Sequence, residues 1–396
     1  MEQKFVLRNL RLYAWFQALR EPLFWGPVLI TYILSVGRMS LSQIYVMESV
    51  VVIIVMLLQI PGGAIADRLG RKRAMLVGMC LLALDCLLFG IGSGPVWMWV
   101  SNLVWALGYS LVSGADSALL YDTLAVAGRT DEFKRFEGRT IAYRYFLIAI
   151  TSLSVGYLAG VNLRLPVLLG LPGVLAVIGI VAAMVEPPRT KPAGKHWDVM
   201  KLSVLFVANN RKVKWIIAYA VLLSVIGKVW FFTYNPYFEL VHLPLVLYGW
   251  VFFGLNVVAG VFSGSAGWLA KRIPARVSIL GMVALTGLSI LAMAFVIAQP
   301  MVILALAQNV VRGYIKPFMG QFLHDHLDSE NRATVASVQS AVDGFGQVVL
   351  LGIFGLVLKV FSLPASLLML GVFTLLAGGT LLVLYPRVFG RSTVTP

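Results

Sequence analysis

The segment Gly62–Arg73 reads Gly-Gly-Ala-Ile-Ala-Asp-Arg-Leu-Gly-Arg-Lys-Arg and lies between two long apolar runs. Its first two glycines would let two helices approach closely, and its last glycine would allow a tight turn. Asp67 stands among basic residues, so charge-assisted hydrogen bonds can form at this helix end. We predict a charged latch in this loop, formed by Gly63, Asp67, Arg68, Gly70, Arg71 and Lys72.

The apolar runs beside this segment are typical of the whole chain. Of its 396 residues, 59% are hydrophobic and 12% are charged, which is more apolar side chain than one globular core can bury. The runs are about 20 residues long, the length that a helix needs to cross a hydrocarbon core of roughly 30 Å. We therefore predict an all-α membrane protein with twelve transmembrane helices in a lipid bilayer. The predicted spans are residues 12–37, 43–66, 74–93, 96–121, 140–161, 165–185, 213–238, 246–270, 277–298, 300–321, 333–358 and 364–385.

One long polar stretch divides the predicted spans into two sets of six. It predicts a cytoplasmic linker over residues 187–212, between an amino-terminal bundle, 1–186, and a carboxy-terminal bundle, 213–396. The two halves are also similar in sequence, because residues 63–68 align with 267–272 at an offset of 204 (267 minus 63). A second pair of segments has nearly the same offset. This pattern indicates two pseudo-symmetric six-helix bundles.

The basic residues indicate the orientation of the chain in the membrane. The sequence has 32 Lys and Arg against 17 Asp and Glu. A nucleic-acid binder would gather that excess on one water-facing module, whereas here it lies in the loops between spans. If both termini are cytoplasmic, the outer loops keep only Arg38, Arg164 and Lys359, in agreement with the positive-inside rule. We expect a monomeric, multi-pass protein of the cell's inner (plasma) membrane, without a nucleic-acid partner.

The segment Gly62–Arg73 resembles the signature of the major facilitator superfamily, Gly-x-Leu-Ala-Asp-Arg-x-Gly-Arg-Arg/Lys, in the loop between the second and third helices. Only Ile65 departs from it. The resemblance implies that the latch holds one conformation of an alternating transport cycle, with Asp67 facing the amino end of the eleventh span. There, residues 328–331 read Asp-Ser-Glu-Asn and supply a helix cap, whose free N–H groups favour a negative partner.

Two further segments, 40–48 and 113–122, resemble a largely uncharacterised bacterial branch of the superfamily, similar to its drug and metabolite efflux members. This resemblance implies export of a small organic solute. This sequence departs from two motifs of proton-coupled members, so the motifs do not establish proton coupling. The arginine that many proton-coupled members carry in the fourth span falls near residues 102–104 here, and the fifth span keeps only Gly156 and Gly160 of the Gly-Pro antiporter motif.

An ionised side chain near the bilayer centre costs about 2.5 to 3.5 kcal/mol, so polar residues inside the spans must face protein or a wet cavity. In the tenth and eleventh predicted spans they recur every four residues, which places them on one helix face. The seventh span carries a cation, an aromatic ring and an amide. These residues and one arginine of the fifth span are the predicted cavity or substrate contacts: Arg144, Lys228, Phe232, Asn235, Gln308, Arg312, Lys316, Gln339 and Gln347.

Acidic residues inside or beside the spans are candidates for proton coupling, because a buried carboxylate gains or loses its proton when a cation leaves or approaches it. One alternative is a fixed structural pair of Arg20 and Glu21. Another is a structural pair of Arg144 with Asp116 or Asp122. The candidates are Glu21, Glu48, Asp116, Asp122 and Asp343.

These patterns predict a secondary active transporter that moves a small organic solute by alternating access, as a proton-coupled efflux antiporter. An uptake symporter of the same fold is the alternative, and a passive channel or a non-transporting receptor is the alternative from another class. We expect no enzyme, because nucleophiles, metal ligands and histidines do not cluster at membrane depth. A phosphate-cradling loop is also absent, so we do not expect direct ATP-driven transport. We interpret His324-Asp325-His326 as solvated, and we predict no cofactor and no metal.

Overall fold

The computed structural model describes residues 2–21, 23–188, 205–324 and 332–389. Within these residues the chain is helical and has no β-strand, so the predicted all-α fold is confirmed. Besides a short helical segment at 205–209, the helices in chain order are α1 (Glu2–Leu19), α2 (Leu29–Ser35), α3 (Leu41–Leu69), α4 (Arg71–Ile91), α5 (Pro95–Val112), α6 (Ala115–Val126), α7 (Phe133–Val161), α8 (Arg164–Ala183), α9 (Arg211–Leu240), α10 (Leu245–Gly264), α11 (Ala266–Arg272), α12 (Ala275–Phe295), α13 (Leu304–His324), α14 (Arg332–Val360) and α15 (Leu363–Phe389). Short 3-10 turns precede α2, α7 and α13.

Ten helical segments of the described chain are long and apolar enough, by length and composition, to cross a membrane. The two other predicted spans, 12–37 and 300–321, also lie in helical parts of the chain. The first is divided between α1 and a shorter apolar stretch, Gly26–Ser35. The second is α13, whose composition is made more polar by Arg312 and Lys316. The chain is therefore a multi-pass membrane protein.

The first predicted span is wrong as a continuous helix. α1 ends at Leu19, and helical structure resumes only at Gly26. Pro27 lacks an N–H group and stands in the first turn of the new helix, a position that proline favours. The break leaves Arg20 and Glu21 outside regular helix, so their side chains can reach different neighbours.

The fourth and eighth predicted spans are also each divided in two. Between α5 and α6, Gly114 has a φ of +90°, a left-handed conformation that glycine adopts without steric cost. Between α10 and α11, the Ser265 hydroxyl donates a hydrogen bond to the Val261 carbonyl oxygen (2.7 Å). A side-chain bond of this kind competes with the helical backbone pattern and bends helices.

Side-chain caps fix where two of the long helices begin. At α3, the Ser40 hydroxyl accepts the backbone N–H of Gln43 (3.2 Å), and the Gln43 side-chain oxygen accepts the backbone N–H of Ser40 (2.8 Å). At α9, the Asn210 side chain accepts the backbone N–H groups of Lys212 and Val213 (3.1 and 3.2 Å). These caps satisfy N–H groups that have no partner within the helix.

The helices form two compact units, one of residues 1–192 and 244–256 and one of residues 193–243 and 257–396. Each unit has its own apolar core. The first core includes Tyr13, Phe16, Met75, Met79 and Leu119. The second core includes Trp215, Tyr219, Ile279, Phe318 and Val335. Much of the predicted linker lies outside the described residues, so the predicted domain boundaries stay predictions.

Candidate functional site

Two ion pairs lie where the first crossing breaks. The Arg20 guanidinium bonds the Asp116 carboxylate in the first turn of α6. Arg144 Nη1 of α7 lies 2.9 Å from Glu21 Oε1. The predicted structural pairs, Arg20 with Glu21 and Arg144 with Asp116 or Asp122, are therefore wrong. The charged residues were identified correctly, but their partners are exchanged, since the carboxylate of α6 pairs with Arg20 and the guanidinium of α7 pairs with Glu21.

Asp116 has the larger set of hydrogen bonds of the two carboxylates. Its Oδ1 accepts the backbone N–H groups of Ser117 (2.8 Å) and Gly114 (3.2 Å). Its Oδ2 accepts Gln17 Nε2 (3.4 Å), and the same nitrogen donates to the Tyr13 hydroxyl (2.7 Å). A carboxylate that is bonded from several directions at a helix start is fixed in place. This arrangement favours a structural role for Asp116.

The pair of Glu21 and Arg144 is more accessible to water. The Glu21 side chain is 42% exposed, whereas the Arg144 side chain is 12% exposed. Arg144 Nε is buried and has no hydrogen-bond partner among the described residues. The Arg144 guanidinium carbon also lies 5.5 Å from the ring centre of Tyr145. A mostly buried guanidinium thus holds one half-exposed carboxylate and keeps an unused donor.

Arg71 of the predicted latch is bonded within the first unit. Its guanidinium bonds the Asp122 carboxylate and the Ala118 carbonyl oxygen, both on α6. The side chains of this ion pair are 15% and 1% exposed. The Glu186 carboxylate accepts the backbone N–H groups of Arg71 and Lys72, each at 2.8 Å. Glu186 thereby caps the start of α4, where the free N–H groups attract negative charge.

The glycines of the latch differ in what they permit. Gly70 turns the chain between α3 and α4 at a φ of +107°, as predicted. The predicted close helix approach occurs at Gly62, where an added Cβ would lie 2.7 Å from the Ser110 carbonyl oxygen. Gly63 faces open space within the described structure, so the expected close approach at Gly63 is wrong. The register of α3 against α5 decides which of two neighbouring glycines meets the partner helix.

Predicted contacts that involve residues 325–331 lie outside the described residues. This applies to the cap at 328–331, the predicted partner of Asp67, and to most of the histidine motif. Asp67 and Arg68 themselves are exposed in the last turn of α3. Their part in a latch stays a prediction.

A network of neutral polar side chains lies inside the second unit. Asn309 Nδ2 donates to the Tyr234 hydroxyl (2.7 Å), and this hydroxyl donates to Gln308 Oε1 (3.4 Å). Gln308 Nε2 donates to Ser289 Oγ (3.2 Å). All four side chains are buried. Asn309 Oδ1 is buried without a hydrogen-bond partner among the described residues, but both side-chain groups of Gln308 are bonded within the network. Gln308, a predicted cavity residue, is therefore used in packing here.

The cations predicted near this network differ from Gln308 in their surroundings. Arg312 and Lys316 are exposed although they recur at the same spacing as Gln308. Lys228 Nζ lies 4.9 Å from the ring centre of Phe232, a cation–π distance. The predicted polar face of α13 therefore begins buried and ends exposed.

The remaining candidates lie partly or wholly inside their units. Asn235 is buried on α9, and Glu48 and Gln339 are partly buried. On α14, Gln347 Nε2 donates to Asp343 Oδ2 (2.7 Å), as their spacing of four residues predicts.

Comparison with known proteins agrees with this architecture. The model of the Major Facilitator Superfamily matches residues 220–395. The uncharacterized MFS-type transporter YxaM of Bacillus subtilis (strain 168) is 23% identical over 369 residues, which cover 89% of each chain. In sequence, the chain is therefore similar to major facilitator superfamily proteins over its carboxy-terminal half and to one MFS-type transporter over most of its length.

Solved transporters show the same fold. The nucleoside transporter NupG aligns with this chain at a TM-score of 0.78 and 13% identity, over 96% of this chain and 99% of that chain. A POT family transporter in complex with a thioalcohol-conjugated peptide aligns at 0.75 and 15% identity, over 96% and 97%. These relatives are transporters, and the chain shares their fold.

Several residues that hold the charged side chains of this protein were not predicted. Asn9, Tyr13 and Gln17 recur every four residues on α1, a spacing that could have identified them. Asn9 exchanges two hydrogen bonds with the backbone of Val185 (2.9 and 3.0 Å). Glu186 was not predicted as a cap because it precedes two prolines and is the last residue of the predicted amino-terminal bundle, next to the polar linker.

Proposed function

We propose that this protein is a major facilitator transporter that exports a small organic solute by proton-coupled alternating access, and that Glu21 and Arg144 form its proton-responsive pair. The observation that carries the proposal is the 2.9 Å contact between a half-exposed carboxylate and a mostly buried guanidinium at a helix break. The basic loops support an inner-membrane protein with cytoplasmic termini. We propose that it acts as a monomer.

The pair can exchange a solute for a proton because both can compete for the Glu21 carboxylate. While Arg144 holds Glu21, the positive charge favours the ionised carboxylate. A cationic group of the solute can replace the guanidinium at this half-exposed carboxylate. A proton that binds Glu21 removes the negative charge and displaces the solute, so solute and proton are carried in opposite directions. Release of the proton would restore the pair with Arg144. Asp116 is less suited to this role because its several backbone and side-chain donors remain in place.

The direction of solute transport follows from whether the solute and the proton move in opposite directions or in the same direction. Export requires that inward proton movement drives the solute outward, whereas uptake requires both to move inward. The resemblance of residues 40–48 and 113–122 to efflux members supports export. An uptake symporter would use the same ion pair, so the direction is decided by transport measurements.

The test uses proteoliposomes with an imposed pH gradient of either sign. Uridine, alanylalanine and ethidium serve as labelled probes, because they represent a nucleoside, a peptide and an efflux-type cation. We expect one probe to accumulate against its gradient only when protons flow the opposite way. Glu21→Gln should lower this accumulation at least tenfold while downhill exchange of the probe continues.

The matched control is Glu132→Gln. Glu132 also pairs with an arginine, Arg129, but both side chains are exposed (41% and 44%), and such pairs contribute little. This control should transport like the unmodified protein. Proton coupling through this pair is refuted if probe transport is independent of the pH gradient and is unchanged in Glu21→Gln. Export is refuted if the probe and protons move in the same direction.

A further inference from the structure

A cavity of about 600 Å³ lies within the second unit, between α9, α14 and α15. Apolar side chains form nearly all of its wall. Its polar lining residue is Ser366, whose hydroxyl already donates to the Ser362 carbonyl oxygen (2.9 Å). The lining residues used below are Val221, Val225, Gly346, Val349 and Leu350.

A small residue on α14 shapes this cavity. An added Cβ on Gly346 would lie 3.1 Å from side-chain carbons of both Val221 and Val225, so α9 and α14 approach closely at this level. The larger lining residues Val349 and Leu350 follow on the next part of α14 and leave open volume between the three helices. The cavity is thus a built feature of the helix packing with room for a hydrophobic group.

A carboxylate lies on the same face of α14 as this cavity. Asp343 precedes Gly346 by three residues and Leu350 by seven, the spacing of one helix face. Gln347 Nε2 donates to its Oδ2 (2.7 Å) and orients the group. Its Oδ1 is buried and has no hydrogen-bond partner among the described residues. A buried acceptor without a donor is costly, and a charged donor satisfies it best.

We infer that this cavity binds the hydrophobic part of an organic amine whose ammonium group donates to Asp343 Oδ1. The apolar wall matches the hydrophobic part, and the unsatisfied carboxylate oxygen is complementary to the cation. Lys228 lies on the α9 face of Val221 and Val225, three residues beyond the latter, but its Nζ lies over the Phe232 ring. That the amine is carried across the membrane rests on the proposed function, whereas its binding does not.

The test measures binding to the purified full-length protein in lipid nanodiscs, without a gradient. Three probes share one hydrophobic group and differ in their head group: 4,4-diphenylbutylamine, 4,4-diphenylbutanol and 4,4-diphenylbutyrate. We expect the amine to bind at least tenfold more tightly than the alcohol, because a hydrogen bond to a charged group contributes about one to two factors of ten in affinity. The third probe, 4,4-diphenylbutyrate, carries a carboxylate itself and should bind most weakly.

Variants separate the contribution of Asp343 from that of the cavity wall. Asp343→Asn should remove the preference for the amine and leave the affinity for the alcohol unchanged. Gln347→Leu should weaken amine binding several-fold, because Asp343 loses the donor that orients it. Val349→Trp should weaken both the amine and the alcohol by filling the cavity.

Two matched controls test whether these effects are specific. Glu239→Gln removes another carboxylate of the second unit, and Val257→Trp adds a ring at a valine with the same 41% exposure as Val349. Both should bind the three probes like the unmodified protein. The inference is overturned if the alcohol binds as tightly as the amine, or if Asp343→Asn still prefers the amine over the alcohol. It is also overturned if 4,4-diphenylbutyrate binds most tightly, because that result would indicate binding to Lys228. Because no gradient is applied, failure of amine binding and failure of proton-coupled export are distinguishable.

Discussion

At the scale of single residues, the start of α4 is held by one carboxylate. Glu186 accepts two backbone N–H groups at 2.8 Å, and the same turn of helix carries the Arg71 side chain that bonds Asp122. The cap therefore also holds the guanidinium in position for its ion pair. The resemblance to the family signature implied functional roles for the latch residues, and Glu186 stands outside that signature.

Glu186→Ala should lower the free energy of unfolding by about 1 kcal/mol, because two N–H groups at a helix start lose a charged acceptor. Denaturant titration of the purified protein in detergent measures the change. Glu132→Ala is the control, because Glu132 also stands directly before a helix, α7, but its side chain makes no capping hydrogen bond. Equal effects of the two substitutions would contradict the capping role of Glu186.

Sequence reasoning at this scale identified charged residues better than their partners. A charge inside an apolar run must have a partner, so Arg20, Glu21, Asp116 and Arg144 could be singled out. The partners depend on which helices approach the break after Leu19, and helical spacing carries no information about that approach. Asp343 and Gln347 were predictable as a pair because both lie on one helix, four residues apart.

At the scale of helices, α7 and the first part of α10, which belong to the same unit, meet backbone to backbone. An added Cβ on Gly156 would lie 2.4 Å from the Val246 carbonyl oxygen. An added Cβ on Gly249 would lie 2.1 Å from the Ser152 carbonyl oxygen. Small residues at such a crossing are typical of membrane helices, whose association depends on close packing.

Gly156→Ala should lower the free energy of unfolding by about 1 to 3 kcal/mol, because the new methyl group meets backbone atoms that cannot move alone. Gly160→Ala, one turn further along α7, is the control. Its added Cβ would meet no atom within 4 Å, so it should leave stability unchanged or raise it by up to about 1 kcal/mol. Thermal denaturation of both variants measures the difference, and similar melting temperatures would refute the close crossing.

Helix positions were largely predictable from apolar run length, but helix breaks were not. The breaks at Gly114 and Ser265 lie inside the predicted spans, beside the Ser-Gly dipeptides at 113–114 and 263–264, which are a local turn signal that run length does not register. Hydropathy reports which side chains prefer lipid, and it is insensitive to a single backbone turn within the run. Pro27 did indicate a weak point in the first span, although the break begins several residues earlier, after Leu19.

At the scale of the whole molecule, the two halves carry related loop segments that have diverged. In the first half, α3 continues to Leu69, and the segment holds Asp67 in its last turn. In the second half, the related residues form the separate helix α11, and Lys271 stands at the position that corresponds to Asp67. There the Arg272 guanidinium carbon lies 4.2 Å from the ring centre of Trp268. The second segment therefore offers a cation and a ring where the first offers an acid.

This divergence predicts unequal effects of removing one basic residue from each half. Arg71→Gln leaves the Asp122 carboxylate, which is 1% exposed, without its cation, and removing one partner of a buried pair costs about 3 kcal/mol or more. Lys271 is exposed, so Lys271→Gln should change the free energy of unfolding by no more than about 0.5 kcal/mol. Denaturant titration compares the two variants, and Arg71→Gln combined with Asp122→Asn should recover part of the loss because the buried charge is removed as well. Equal losses of unfolding free energy from Arg71→Gln and Lys271→Gln would show that the two segments stabilise their halves equally. That result would contradict the predicted difference between the two segments.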